Sequence, residues 1–515
     1  MSNEQRITRR TVLAAGAAVV AAGATPWWDL DAGRTFYVNG TDGDDEASGR
    51  EPGEAWRTLR NVNGREWGPG DRLLFAADTV YEGPLELRGG GSPLAPVTVG
   101  QYGRGARPRI EGRGVRDAVL ADNMEWVQLR DLEVTNTGEE RMDWRTGVRV
   151  RAHNCGTLKG IVLEDLVVRD VNGSLVKQTE GCGIYAVASG NEPSRFDGLR
   201  VERCHVLRTD RNGLCMRSSF TGRDSNWFPS LNVVFRGNLI EDCGGDAIKP
   251  WGCEGALVEH NRVDKARQRC EDYAAGIWPW SCDDTVIQFN EVSGLKGTLD
   301  GQGFDSDYNC RHTVIQYNYS RDNEGGFLLV CGPERGSRCA GCVDTVVRYN
   351  ISENDGFTGA RLIHVSGGGV RRTRIYNNVI YVPEDPQVES NIMVKMDEWD
   401  GWAEDTLFAN NLFLTRRPVT YEFGQARDTR YRYNAFTGPH EDMPDDPEAV
   451  VTSDNPGLAD PGTGESLREL EGYKLTADSP LTDAAREMED NGGRDFWGNA
   501  VAENGPVSIG AHERR

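Results

Sequence analysis

A β-solenoid is the fold class this sequence predicts, on three observations. One short unit recurs at coil-like spacing, the residues around it are strand formers, and 62 glycines in 515 residues suit a chain that turns often. The unit ends on asparagine: VVFRGN at Asn238, ALVEHN at Asn261, TVIQFN at Asn290, TVIQYN at Asn318, TVVRYN at Asn350, TRIYNN at Asn378, TLFANN at Asn411 and TRYRYN at Asn434. Degenerate copies precede it at Asp131, Asp165 and Cys204. Asparagine at the end of a short strand tolerates a left-handed backbone and bonds locally. Stacked coil on coil, it predicts an internal amide ladder with a structural role, which also accounts for the N-x-S/T sequons at Asn318 and Asn350.

The chain opens with Thr8-Arg9-Arg10-Thr11-Val12-Leu13 and an apolar run that ends at Ala22-Gly23-Ala24. That run is too short to span a bilayer and finishes in small residues, so residues 1–24 resemble a twin-arginine export signal, with Val12 in place of the usual Phe. The expectation is a secreted protein, extracellular, periplasmic or in the cell wall. Residues 25–35 read as a linker, 36–125 as an N-terminal cap with the first coils, 126–436 as the solenoid, and 437–515 as a C-terminal tail packing back on it. No other run is long enough for a membrane span. The net charge of −22 argues against nucleic acid and anionic membrane surfaces as partners. Nothing in the sequence signals oligomerisation, and a monomer is expected.

The 12 cysteines all fall between Cys155 and Cys342. In an exported protein that favours disulfides. Cys253, Cys282 and Cys310 share a register in which neighbouring coils bring cysteines within disulfide reach, and a stacked ladder of unpaired buried thiols fits equally. Cys339-Ala340-Gly341-Cys342 reads as a loop disulfide.

Several segments carry a family resemblance. Phe36-Tyr37-Val38-Asn39-Gly40, Ala55-Trp56-Arg57-Thr58-Leu59, Gly68-Pro69-Gly70-Asp71 and Gly100-Gln101-Tyr102-Gly103 look like the lead-in of right-handed parallel β-helix proteins of the pectate-lyase-like superfamily. Ser479-Pro480-Leu481-Thr482-Asp483-Ala484 and Gly505-Pro506-Val507-Ser508-Ile509-Gly510-Ala511-His512-Glu513 resemble their common tail. The resemblance covers nearly all of the chain after the signal. It implies an all-β, right-handed parallel β-helix, in a superfamily of mostly secreted carbohydrate-active proteins that includes lyases, hydrolases, epimerases and non-catalytic members.

The stretch Gly276–Cys310 carries the candidate chemistry. In the strands Ile248–Trp251, Ile277–Trp280 and Phe304–Asp307, first and third positions belong inside the coil, and second and fourth positions point out. The outward columns are Lys249, Trp278, Asp305 and Trp251, Trp280, Asp307. Exposed indoles, with Lys249 and Arg217 beside them, read as a platform for sugar rings. The insertions 191–197 and 221–230 could cover it or wall it. Asp305 and Asp307 lie about 6.7 Å apart along the strand and read as paired glycosidase carboxyls, leaning slightly to inversion. Asp300, Asp272 and Glu324, in turns entering the same strands, are further acids. Asp305-Ser306-Asp307-Tyr308-Asn309 imitates the start of a calcium loop but lacks its glycine and closing glutamate. Calcium on Asp305 and Asp307 therefore stays open.

The leading functional expectation is a hydrolase of polysaccharide or oligosaccharide, needing no cofactor. A lyase, with Lys249, Tyr308, Arg217, Arg311 or His312 as base or uronate partner and a metal on the aspartates, is the first alternative. A non-catalytic carbohydrate-binding or cell-surface solenoid is the second, and acids spread along the groove rather than clustered would favour it. His364 reads as an inward core histidine.

Overall fold

The computed structural model describes residues 33–334, 340–502 and 505–514. The proposed export signal, most of the linker and Cys339 lie outside these residues. Among the described residues helix is confined to Arg60–Asn63 and two single 3₁₀ turns, and no helix is long and apolar enough to cross a membrane.

The chain is a right-handed parallel β-helix. Its first sheet has sixteen strands, beginning at Thr35–Val38 and including Arg427–Arg432, and its second has fourteen, from Val80–Glu82 to Val450–Thr452. The third is in two pieces: seven strands from Glu66–Trp67 to Ile248–Lys249, then five from Gln302–Ser306 to Val419–Glu422. Single bridges, Ile248 to Ile277 and Ile277 to Phe304, join the pieces. Proline causes the break. Trp251 pairs with Trp280, which aligns Pro250 with Pro279 and removes two stacked backbone donors from the ladder. Trp278 and Trp280 still donate to the carbonyls of Ile248 and Pro250, both at 3.1 Å. The sheet thus loosens where the outward columns carry tryptophan and aspartate.

The amide ladder is present and continuous. Each asparagine from Asn238 to Asn411 donates its side-chain N–H to the Oδ1 of the next one, at 2.9–3.0 Å, and that same oxygen accepts the preceding asparagine's backbone N–H. Asp446 closes the row by accepting from Asn434. Asn318 and Asn350 are fully buried with their amides engaged, so neither sequon presents a glycan acceptor. One detail differs from the sequence reading. The left-handed residue is the one before each asparagine: His260, Phe289, Tyr317, Tyr349, Asn377, Asn410 and Tyr433 have φ of 50–57°. That conformation turns the side chain outward, where His260, Phe289, Tyr317 and Tyr349 stack with centroids 5.1–5.9 Å apart. Tyr317 and Tyr349 join a second apolar cluster with Leu458, Leu470, Tyr473, Leu481 and Ile509, so the C-terminal segment covers the outside of these coils.

All eleven described cysteines are free thiols, so among them the expected disulfides are absent and the alternative, a ladder of unpaired buried thiols, holds; the Cys339 end of the expected loop disulfide lies outside the described residues. Cys253, Cys282, Cys310 and Cys342 form a buried column. Cys282 donates to the carbonyls of Trp280 and Pro250, and Cys310 to that of Pro279, so these thiols find backbone partners.

Substituting Asn290 by Ala leaves the Asn261 amide, the Asn318 carbonyl oxygen and the Val258 carbonyl short of partners. The cost is about 1–3 kcal/mol, read as a lowered denaturation midpoint, with activity per folded molecule retained.

Candidate active site

The bridges Ile248–Ile277–Phe304 put Lys249, Trp278 and Asp305 on successive rungs of one outward column, and Trp251, Trp280 and Asp307 on the other. The first column is not open. Trp278 is only 3% exposed, and its indole N–H donates to Asp246 Oδ1 at 3.1 Å. Lys249 is 1% exposed and its amine is 3.0 Å from Asp246 Oδ2. Both are thus removed from the list of sugar contacts. Burial would raise the Asp246 pKa, but Lys249, Lys177 and Arg211 hold it down at about 2. Burial would likewise lower the Lys249 amine's pKa, and the facing Asp246 carboxylate pushes it up. The pair is a charged internal strut under the groove floor. Partly exposed Asp272 is occupied by the buried Arg211 guanidinium, 2.8 Å away.

The second column is accessible. The Trp251 and Trp280 rings lie 4.2 Å apart at 45°, both half-buried, and Arg217 lies 5.5 Å over Trp251 and 5.1 Å over Trp144. Upstream, Cys182, Tyr185 and Cys215 are buried on the outer face beside Trp144, so the groove is closed there. Of the two insertions, residues 194–197 form a strand of a small side sheet with Gly156–Lys159. The other walls the groove: Arg223 pairs with Asp283, stacks 4.3 Å over Trp227 and donates to the Asn309 carbonyl.

Three carboxyls converge beyond the tryptophans. Asp305 is 2% exposed, and its Oδ1 is enclosed without a hydrogen-bond partner. Burial, then Asp307 and Asp300, push it well above the usual carboxylate range. Burial also raises Asp307, to about 6, against the opposing pull of Lys177 and hydrogen bonds from the Tyr308 N–H and the Cys331 thiol. Asp300 rises to about 7, from burial and the Asp307 charge, with Lys177 and Arg361 opposing. The Asp305 and Asp307 oxygens lie within 4.8 Å of each other, closer than the strand rise alone gives, because both side chains leave the same face. Half-buried Asp300 and Asp307 can meet a substrate, whereas Asp305 lies beneath them.

The turn bearing Asp300 is held from below. Glu324 accepts from the Gly297 N–H, and Arg267 donates to the carbonyls of Lys296 and Leu299. Glu324 therefore positions the turn instead of reaching substrate. The calcium-loop reading also fails. Ser306 faces the core, bonded to Thr345 and Cys342, and the Asn309 amide is taken by Thr221, Ser281 and Arg223. His364 is on the outward column, paired with Leu329 and Lys395, and its Nε2 is 3.1 Å from Asp397; Ile363 and Val365 are its inward neighbours. Burial lowers its pKa and keeps it neutral.

Four large apolar side chains stand exposed around the acids. Val176 adjoins Lys177, Tyr273 adjoins Ala274, whose backbone bridges Asp300, Leu299 adjoins Asp300, and Trp399 packs on Tyr308 at 4.9 Å. These, with Lys177, Asp246, Cys331 and Arg361, are site residues that the sequence reading missed. Asp246 could have been found, because it opens the strand of Lys249 as Asp300 opens that of Asp305. Lys177 and Trp399 arrive from remote loops and carry no register signal, and Arg361 opens a strand of the third sheet two coils from Asp300.

Fold and site together define a right-handed parallel β-helix with clustered acids in an aromatic-rimmed groove on its third sheet. No protein-family model matches the chain. It is 27% identical to the lacto-N-biosidase of Bifidobacterium longum subsp. longum across 93% of its own length, and it spans 36% of that protein. It is also similar to the crystal structure of GH136 lacto-N-biosidase from Eubacterium ramulus, with TM-score 0.62 and 28% identity over 71% of this chain and 67% of that one. XylC in complex with xylose shares the fold at TM-score 0.55 and 13% identity, covering 93% of this chain and 98% of that one.

The raised pKa of Asp300 gives a stability prediction. Its folded value of about 7 lies above the ordinary 3.8, so the native state binds the extra proton and loses stability as pH rises from about 4 to about 7. Asp300→Asn should raise the unfolding free energy at pH 8 by roughly 1–3 kcal/mol and leave it nearly unchanged at pH 4, measured by denaturant titration.

Proposed function

We propose that this chain is a glycoside hydrolase of the lacto-N-biosidase type, cleaving an oligosaccharide in the groove of the third sheet. The single observation that carries this reading is the convergence of two partly accessible carboxyls, both pushed up by burial, beside an indole pair. Glycosidases need one carboxyl protonated and one ionised near the working pH, flanking the scissile bond. Asp307 is the anion, because the Tyr308 N–H and Cys331 S–H favour its charged form. Asp300 is the acid that protonates the leaving oxygen. Asp305 stays protonated beneath them and keeps a second negative charge away from Asp307, so it supports the reacting pair and is not part of it. Half-buried Lys177, whose charge acts on all three carboxyls, tempers the repulsion. Trp280 and Trp251 give a sugar ring a flat apolar face.

This chemistry needs no metal or organic cofactor, in keeping with the similarity to lacto-N-biosidases. Two of the groups that a lyase could use are engaged elsewhere, which weighs against that alternative. Lys249 is locked to Asp246, and His312 lies between Asp284 and Asp344 outside the groove. A purely binding solenoid is disfavoured by the clustering of the acids. The twin-arginine-type N-terminus supports an exported enzyme.

Asp300→Asn and Asp307→Asn should each lower turnover on oligosaccharides ending in lacto-N-biose by about 10² to 10⁴-fold while the fold survives. In the wild type, kcat/KM should be bell-shaped, falling below about pH 6 as Asp307 protonates and above about pH 7 as Asp300 ionises. Asp300→Asn removes the alkaline limb. Full activity in both variants overturns the assignment.

Trp280→Ala should raise KM by about tenfold, the scale of one lost stacking contact, with the melting temperature nearly unaltered. A large loss of stability at constant KM would show the indole to be packing alone.

A further inference from the structure

One group in the groove has no part in hydrolysis beyond its hydrogen bond to Asp307. Cys331 is buried on the coil next to the aspartates, and its Sγ is 3.2 Å from Asp307 Oδ1. The pairing of Ser306 with Val330 places it opposite Asp307. The ligand atoms of Asp305, Asp307 and Cys331 all lie within 4.8 Å of one another. Asp305, nearly completely buried, also keeps an oxygen enclosed without a partner. Enclosed polar atoms normally find one.

We infer that Asp305, Asp307 and Cys331 form a binding site for a thiophilic divalent cation of the zinc class, and that its occupancy reversibly switches off hydrolysis. The donor set selects the ion. A sulfur with two carboxylate oxygens suits zinc or cadmium, which accept mixed S and O ligands at about 2.0–2.3 Å. Calcium requires six to eight oxygens, and the side chains that could add them, Ser306 and Asn309, are turned away and engaged. Three protein ligands leave a fourth position open toward the accessible side of Asp307, for water.

The inhibitory effect follows from the ligands. Binding releases the protons of the Cys331 thiol and the Asp305 carboxyl, and no electron transfer is involved. Asp307 then donates its lone pair to the metal and is lost to the reaction. Because protons compete with the ion, binding tightens as pH rises. Metal binding is independent of the proposed function, whereas inhibition rests on it.

The test uses the full chain, freed of metal by chelation, and Cd²⁺ as the probe. One equivalent should produce the ultraviolet charge-transfer band of a cadmium thiolate. Zn²⁺ should displace it, and Ca²⁺ in the same range should not. The band should be absent from Cys331→Ser and weakened in Asp305→Asn, with folding of both variants checked by melting temperature. Hydrolysis by the wild type should fall with the same midpoint as the band rises and return with chelator, while Cys331→Ser keeps its own metal-free rate at that Cd²⁺ concentration. A missing band, or one that persists in Cys331→Ser, overturns the site. A band that fills while hydrolysis is unaffected overturns the inhibition. A band that behaves as expected in a protein without hydrolytic activity leaves the metal site standing and removes the hydrolase reading.

Discussion

The shared register of the coils is the constraint on which the rest depends. A parallel solenoid has no compact centre to fix its geometry, so each coil must be indexed on the next. The asparagine row from Asn238 to Asn434 does this, since each side-chain amide bonds both the backbone and the side chain of its neighbour. A slip by one residue would break these bonds and move every inward side chain to the outside. Because the row holds, residues far apart in sequence become rungs of one column, and Arg217, Trp251, Trp280 and Asp307 fall into line along the groove.

Within that frame the groove combines two treatments of charge. Under the floor, Asp246 meets Lys249 with further support from Trp278, and full ionisation is stabilised in a buried place. Two coils further on, Asp300, Asp305 and Asp307 are brought together with too few cations, so their pKa values rise. The proline pair at Pro250 and Pro279 lies between these regions and interrupts the ladder where the side chains must meet a ligand. The same features suit the proposed hydrolysis and lower local stability, a common compromise at functional sites.

The fold was largely legible in the sequence, because ladder and core residues repeat and repetition survives variable loops. Outward columns were legible for the same reason, and Asp300, Asp307, Trp251 and Trp280 were recoverable by counting along strands. Exposure was not. Trp278 and Lys249 follow the alternation and point out of the coil, yet loops that carry no period cover them. The disulfide reading failed on a related ground: sequence places the cysteines in a column but does not show that backbone carbonyls already satisfy their thiols. His364 was assigned to the wrong face because the loop before its strand obscures the register.

The central claim is that the scissile bond lies between Asp300 and Asp307, against the indole pair and above Asp305. A crystal structure of the Asp300→Asn variant with an uncleaved oligosaccharide tests it most directly. The account predicts the glycosidic oxygen within hydrogen-bond distance of the residue 300 amide, the anomeric carbon facing Asp307 and a ring against Trp280. A sugar bound on another sheet, or one in this groove with its linkage remote from both residues, would contradict it.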